Sequence, residues 1–149
     1  MRKFAVALIT LSLLTGSVLA ADAPKEKSLY DRLGGKSAIT AVVDEFVARC
    51  AADPKIQGFF KGLAADATRL ADFKMKLVDQ ICEASGGPCK YTGRDMKTAH
   101  EGLGIGGGDF DALVADLVGA LDKFKVGKKE KDQLLGILGP MKKDIVEKP

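Results

Sequence analysis

The stretch Gly86-Gly87-Pro88-Cys89-Lys90-Tyr91-Thr92-Gly93-Arg94-Asp95-Met96-Lys97-Thr98-Ala99-His100 decides how the rest of the chain is understood. It opens with a Gly-Gly-Pro turn, which no helix crosses, because proline lacks an N–H and glycine is conformationally loose. It ends on the only histidine of the 149 residues. A single imidazole excludes any zinc site built on several histidines. One His with the three cysteines Cys50, Cys82 and Cys89 lacks the spacing of a finger or ribbon. Cys82 and Cys89 bracket the Ser-Gly-Gly-Pro turn and are the expected disulfide pair, which leaves Cys50 as a thiol on an apolar helical face.

Outward from this stretch the periodicity is helical. Ile39, Val42, Val43, Phe46, Val47 and Cys50 fall on one face of an amphipathic helix that Pro54 and Gly58 are expected to end. Leu70, Phe73, Leu77 and Ile81 mark a second helix, stopped by Gly86-Gly87-Pro88. Phe110, Leu113, Val114, Leu117, Val118, Leu121 and Phe124 form a third stripe, with Asp109 as its expected N-cap. Leu134, Leu138, Met141 and Ile145 make a fourth, and a short helix is expected from Ser28 to Gly34-Gly35. No segment alternates with period two over a strand's length, so the class is all-α. Gly102-Leu103-Gly104-Ile105-Gly106-Gly107 matches a dinucleotide-binding fingerprint by letter only. It follows a helical segment rather than a strand, so it reads as a flexible turn.

The N-terminus has the grammar of an export signal: Arg2 and Lys3, an apolar run from Phe4 to Leu14, then Val18-Leu19-Ala20 as a small-x-small cleavage site. Residues 1–20 are expected to be a signal peptide cleaved after Ala20, residues 21–27 a flexible lead-in, and residues 28–149 one domain in the periplasm. The apolar run is short for a membrane span, and no second one follows, so the mature chain is expected to have no span. Losing Arg2 and Lys3 takes the formal charge from +3 to +1. A nearly balanced chain lacks the concentrated basic face that nucleic-acid binding needs. No Cys-x-x-Cys-His is present, which excludes c-type covalent haem attachment.

The stretch from Gly86 to His100 resembles the signature of group I truncated haemoglobins: a Gly-Gly-Pro turn, then Tyr-x-Gly, then Met-x-x-x-His. The likeness extends to Leu29-Tyr30-Asp31-Arg32-Leu33-Gly34-Gly35, Ala38-Ile39, Val42-Val43, Asp53-Pro54 before Phe59-Phe60, Leu103-Gly104-Ile105 and Asp144-Ile145-Val146, in the same order. It covers residues 28–146. The resemblance implies an abbreviated globin, a two-over-two helical sandwich, holding non-covalent haem b. It implies His100 as the proximal iron ligand, Phe60 as the ring on the haem face and Met96 as its floor. Phe46, Val47, Phe73, Leu77, Tyr91, Leu103, Ile105 and Val114 would complete the lining. A globin needs an apolar slot and an imidazole aimed at iron, and these residue types supply both.

The chain also departs from that family. Many members carry a Tyr after the Phe equivalent to Phe46, and its hydroxyl hydrogen-bonds the gas; here the position is Val47. Where relatives place polar distal residues, counting back from the turn gives Phe73 and Leu77. Lys76 is the one candidate left for the iron's sixth position, with the alternative that it reaches outward to a propionate or water. A register error of one residue would aim Met75 inward instead. The implied function is binding of a diatomic gas (O2, CO or NO), with a redox role through an electron-transfer partner open. The alternatives are an NO dioxygenase served by a separate reductase, and a helical binding module without haem.

Overall fold

The computed structural model describes residues 25–148. The expected signal peptide and most of the lead-in lie outside the described residues.

Helix α1 (Leu29–Arg32) begins where Ser28 accepts the Asp31 N–H at 3.1 Å. Helix α2 (Gly35–Ala52) follows at once and buries all six stripe residues, Ile39, Val42, Val43, Phe46, Val47 and Cys50. Such burial contributes roughly 1.5–3 kcal/mol for each large apolar side chain. Gly58 does not end that element. It lies inside a separate helix, α3 (Gln57–Ala64), which presents Phe60 to the core. The eight residues of α3 span two turns, too few for periodicity to declare them.

Helix α4 (Ala67–Ala84) starts at Asp66, whose carboxylate accepts the Thr68 and Arg69 N–H groups. Helix α5 (Met96–His100) is five residues long. Helix α6 (Gly107–Lys123) begins two residues before the expected cap. Asp109 lies inside the first turn and accepts the Gly106 N–H at 2.9 Å, so it closes the helix start from within rather than from the N-cap position. Phe124 falls past the end of α6 and is exposed, so the third stripe stops at Leu121. The fourth stripe is broken into α7 (Lys128–Leu138), a 3₁₀ turn at Gly139–Met141 and α8 (Lys142–Ile145). Pro140 cannot donate within a helix and divides it.

Helix α2 is the hub, packed on α4, α6 and α3. Arg32 joins α1 to α7 through a 2.6 Å ion pair with Glu130 and a hydrogen bond to Gln133. Two apolar clusters result. The larger gathers α1, α2, α3, α4, α6 and α7; the smaller gathers Ile105, Phe110 and Ile145 with Met96, Val114, Met141 and Val146. Among the described residues there is no strand beyond an isolated parallel bridge between Gly106 and Lys148.

The Gly-Gly-Pro turn is tied down from two sides. Cys82 at the end of α4 and Cys89 are joined in a disulfide. A Cβ on Gly87 would sit 2.5 Å from the Tyr30 ring and 2.7 Å from Cys82 Sγ, so only glycine lets α1 and the turn meet. The distant Leu-Tyr and Gly-Gly-Pro motifs are therefore one contact.

Asp116 on α6 is the polar group in this core without full satisfaction. Its Oδ2 is buried with no hydrogen-bond partner. Desolvation and then the Asp53 carboxylate raise its pKa, against the pull of the Cys50 thiol and Arg49. Burial, and after it Asp116, push the Cys50 thiol up, which keeps that thiol inert. The native state thus holds the Asp116 proton more tightly than the unfolded chain. Its contribution to stability is complete below the ordinary Asp value of about 3.9 and is lost as pH rises through the raised native value. Asp116→Asn cannot ionise, so its stability relative to wild type should improve steadily from acid to neutral pH. Urea midpoints across that range test this; a difference independent of pH refutes it.

Candidate metal centre

His100 ends α5, the short helix whose start Asp95 fixes by accepting the Thr98 N–H at 2.9 Å. Hydrogen bonds from the Thr98 side chain and then its backbone hold the Asp95 carboxyl below the usual range. The imidazole is half-buried, and its Nδ1 lies 2.7 Å from the Met96 carbonyl oxygen. A carbonyl can only accept, so in the neutral ring Nδ1 carries the proton and Nε2 keeps its lone pair. This is the tautomer a metal-bound imidazole needs, with the ring's orientation set by the carbonyl behind it. Among the described residues no group of three or more His, Cys, Asp or Glu gathers to hold a metal. An ion held by His100 must take its remaining ligands from a group it arrives with.

The expected lining divides between the two clusters. Phe46 and Val47 on α2 and Phe60 on α3 are buried, with Phe73 and Leu77 of α4 half-buried beside them. The Phe60 and Phe73 rings meet edge to face, centroids 6.2 Å apart. Met96, Ile105 and Val114 belong to the other cluster. Leu103 is half-exposed, at 50%. Tyr91 lies in neither cluster: it folds over Gly93, where a Cβ would collide with its ring, and its hydroxyl donates to the Arg94 carbonyl at 2.7 Å. The Tyr-x-Gly motif therefore builds the approach to α5.

On α4, Met75 is 55% exposed, whereas Phe73 and Leu77 join the core. Lys76 is partly exposed and its ammonium lies 2.6 Å from Asp72. One residue escaped the sequence reasoning. Gln80, one turn beyond Leu77, places Nε2 3.4 Å from Met96 Sδ and 3.7 Å from Met141 Sδ. Thioethers are weak acceptors, so this half-buried amide is a donor without a strong partner. Its signal was the i+3 step from Leu77, masked because a Gln at that place looks like the helix's polar side.

A cavity of about 440 Å³ lies elsewhere, lined by Leu29, Arg32, Ala84, Ser85, Gly86, Gln133 and Ile137. Its Arg32 is engaged by Glu130 and Gln133, and its Ser85 hydroxyl donates to the Ile81 carbonyl. With its polar groups spoken for, it offers no chemistry to rival His100. The residue types fit haem: one imidazole in the right tautomer, buried Phe46 and Phe60 in the larger cluster, and half-exposed apolar side chains (Phe73, Leu77, Met96, Val114, Leu103) available to cover a flat apolar group.

Comparison with known proteins identifies the family and the fold. The bacterial-like globin family matches residues 28–147. The group 1 truncated hemoglobin of Mycolicibacterium paratuberculosis is 36% identical over 118 residues, which is 79% of this chain and 83% of that protein. Among solved structures, the truncated hemoglobin of Tetrahymena pyriformis in its Fe(III) form superposes with a TM-score of 0.74 at 27% identity, covering 80% of this chain and 98% of that one. The 2/2 hemoglobin of Synechococcus, described in the cyanomet state with covalently attached heme, gives 0.73 at 30% identity, covering 82% and 100%. The all-α architecture is accordingly the two-over-two arrangement of truncated globins. Family match, relatives and fold agree, and the chain belongs to the bacterial-like globin family as a group 1 truncated haemoglobin.

Proposed function

We propose that this chain is an exported haem b protein that binds a diatomic gas, O2, CO or NO, at iron held by His100. The observation that carries the reading is the 2.7 Å contact between His100 Nδ1 and the Met96 carbonyl, which leaves Nε2 as the ligating nitrogen. Haem, when bound, supplies reversible coordination of a small gas at a vacant iron position. The protein's part is to aim the imidazole and keep water out. Phe46, Val47, Phe60, Phe73 and Leu77 form the wall that excludes water, and Met96, Ile105 and Val114 support the imidazole side. Val47 offers no hydroxyl, so tight O2 storage is disfavoured and a redox role with an electron-transfer partner fits better. Gln80 is the one amide side chain of α4.

The test is purification from the periplasmic fraction, with an intact mass beginning at Ala21 and a Soret band in ferric and ferrous forms. Absence of a Soret band after haem addition would sink the reading. Rapid NO turnover with an added reductant would instead favour the dioxygenase alternative.

Lys76 is the second candidate iron ligand, and its pairing with Asp72 favours the outward reading. Lys76→Ala should then leave the ferric spin state unchanged and cost at most about 1 kcal/mol, as exposed pairs do. Conversion from low spin to high spin on this substitution would assign the amine to the sixth position.

A further inference from the structure

We propose that Glu147 is the positioning residue of the proximal site: by clamping the glycine loop that follows His100, its carboxylate fixes the aim of the imidazole and sets how long haem is retained. This rests on the haem reading above.

Helix α5 has only five residues, far below the length at which a helix holds its own shape. Its orientation must come from outside, and its main packing partner is α8, not α4. Directly after His100 the chain turns through Gly102 and Gly104, both left-handed, at φ +81° and +68°. This turns the two N–H groups toward one acceptor, a concavity that suits an anion. Glu147 fills it. One carboxylate oxygen accepts from Gly102 N at 2.6 Å and the other from Gly104 N at 2.5 Å. These two hydrogen bonds hold its carboxyl below the usual range, so it is charged at neutral pH.

The backbone of the same segment completes the clamp. Glu147 N and Lys148 N both donate to the Ile105 carbonyl, at 2.9 and 3.2 Å, and Gly107 N donates to the Lys148 carbonyl at 3.1 Å. The Lys148 side chain lies across Gly104, where a Cβ would be 3.0 Å from Nζ. Two C-terminal residues thus account for five hydrogen bonds to the segment joining His100 to α6. The carboxylate pair is the strongest of them, because its acceptor is charged.

Glu147→Gln is the decisive substitution, since the amide keeps the size but turns one acceptor into a donor facing an N–H. In the holoprotein, ferric haem should pass to excess apomyoglobin about tenfold faster, the consequence of losing one charge-assisted bond. The iron–histidine stretching band of the ferrous protein should shift or broaden, a change that general destabilisation would not produce. Glu147→Asp, which retains the carboxylate on a shorter arm, should fall between, and it serves the same test if the Gln variant does not fold. Glu130→Gln weakens the remote pair with Arg32 and should leave the band in place. Wild-type release and an unchanged band in both Glu147 variants would overturn the proposal.

Hydrogen exchange in the apoprotein separates this inference from the haem reading. Faster exchange at Gly102 and Gly104 in Glu147→Gln supports the clamp even if the wild type takes up no haem. Unchanged exchange there refutes it even if haem binds.

Discussion

His100→Ala is expected to leave a folded protein that no longer retains haem. The chain has one imidazole, and among the described residues no group of three or more His, Cys, Asp or Glu could replace it as a metal site. Loss of an outer partner of a metal ligand typically lowers metal affinity 10–100-fold, and loss of the ligand itself should exceed the upper end of that range. The fold should survive, because the ring is half-buried and its recorded hydrogen bond is to the Met96 carbonyl within its own short helix. Far-UV circular dichroism should therefore be nearly unchanged while the Soret band disappears. Added imidazole should restore part of it, by entering the space the side chain vacates. A Soret spectrum identical to wild type without imidazole would mean that iron is held elsewhere.

Removal of the Cys82–Cys89 disulfide is the second large effect. Replacing both cysteines by alanine should lower stability by about 2–3 kcal/mol on the chain-entropy account of so short a loop. For a domain of this size that corresponds to a fall in Tm of roughly 10 °C. The bond joins the end of α4 to the turn leading toward α5, so haem retention should fall along with stability. Thiol counting gives an independent check. The folded protein should show no fast-reacting thiol, because Cys50 is buried and its pKa raised. Denaturation should reveal one thiol and reduction three. Three thiols without reductant would exclude the bond.

Much of this was legible in the sequence because it is local or periodic. The stripe from Ile39 to Cys50 identified α2 and its buried face, since one helical period repeated over three turns needs no partner to be recognised. Gly86-Gly87-Pro88 ended α4, and Tyr-x-Gly before Met-x-x-x-His identified the single candidate ligand. The sequence also located the cysteine pair, because the two lie only seven positions apart. Less was legible where elements are short. Helix α3 shows no stripe of its own in so few residues, and the last stripe reads as one helix, because a broken helix keeps its apolar spacing across Pro140.

What only the tertiary structure decided are the contacts between residues remote in the chain. It set Tyr30 against Gly87, Gln80 against Met96 and Met141, Asp116 beside Cys50, and Glu147 on the amides of Gly102 and Gly104. The sequence by itself determined which residue types could line an apolar slot and which single imidazole could serve a metal, because those follow from composition and period. It could not determine the tautomer of His100 or what fixes the loop behind it. Those depend on where a carbonyl and a C-terminal carboxylate come to rest after the helices have packed, and no local pattern encodes that meeting.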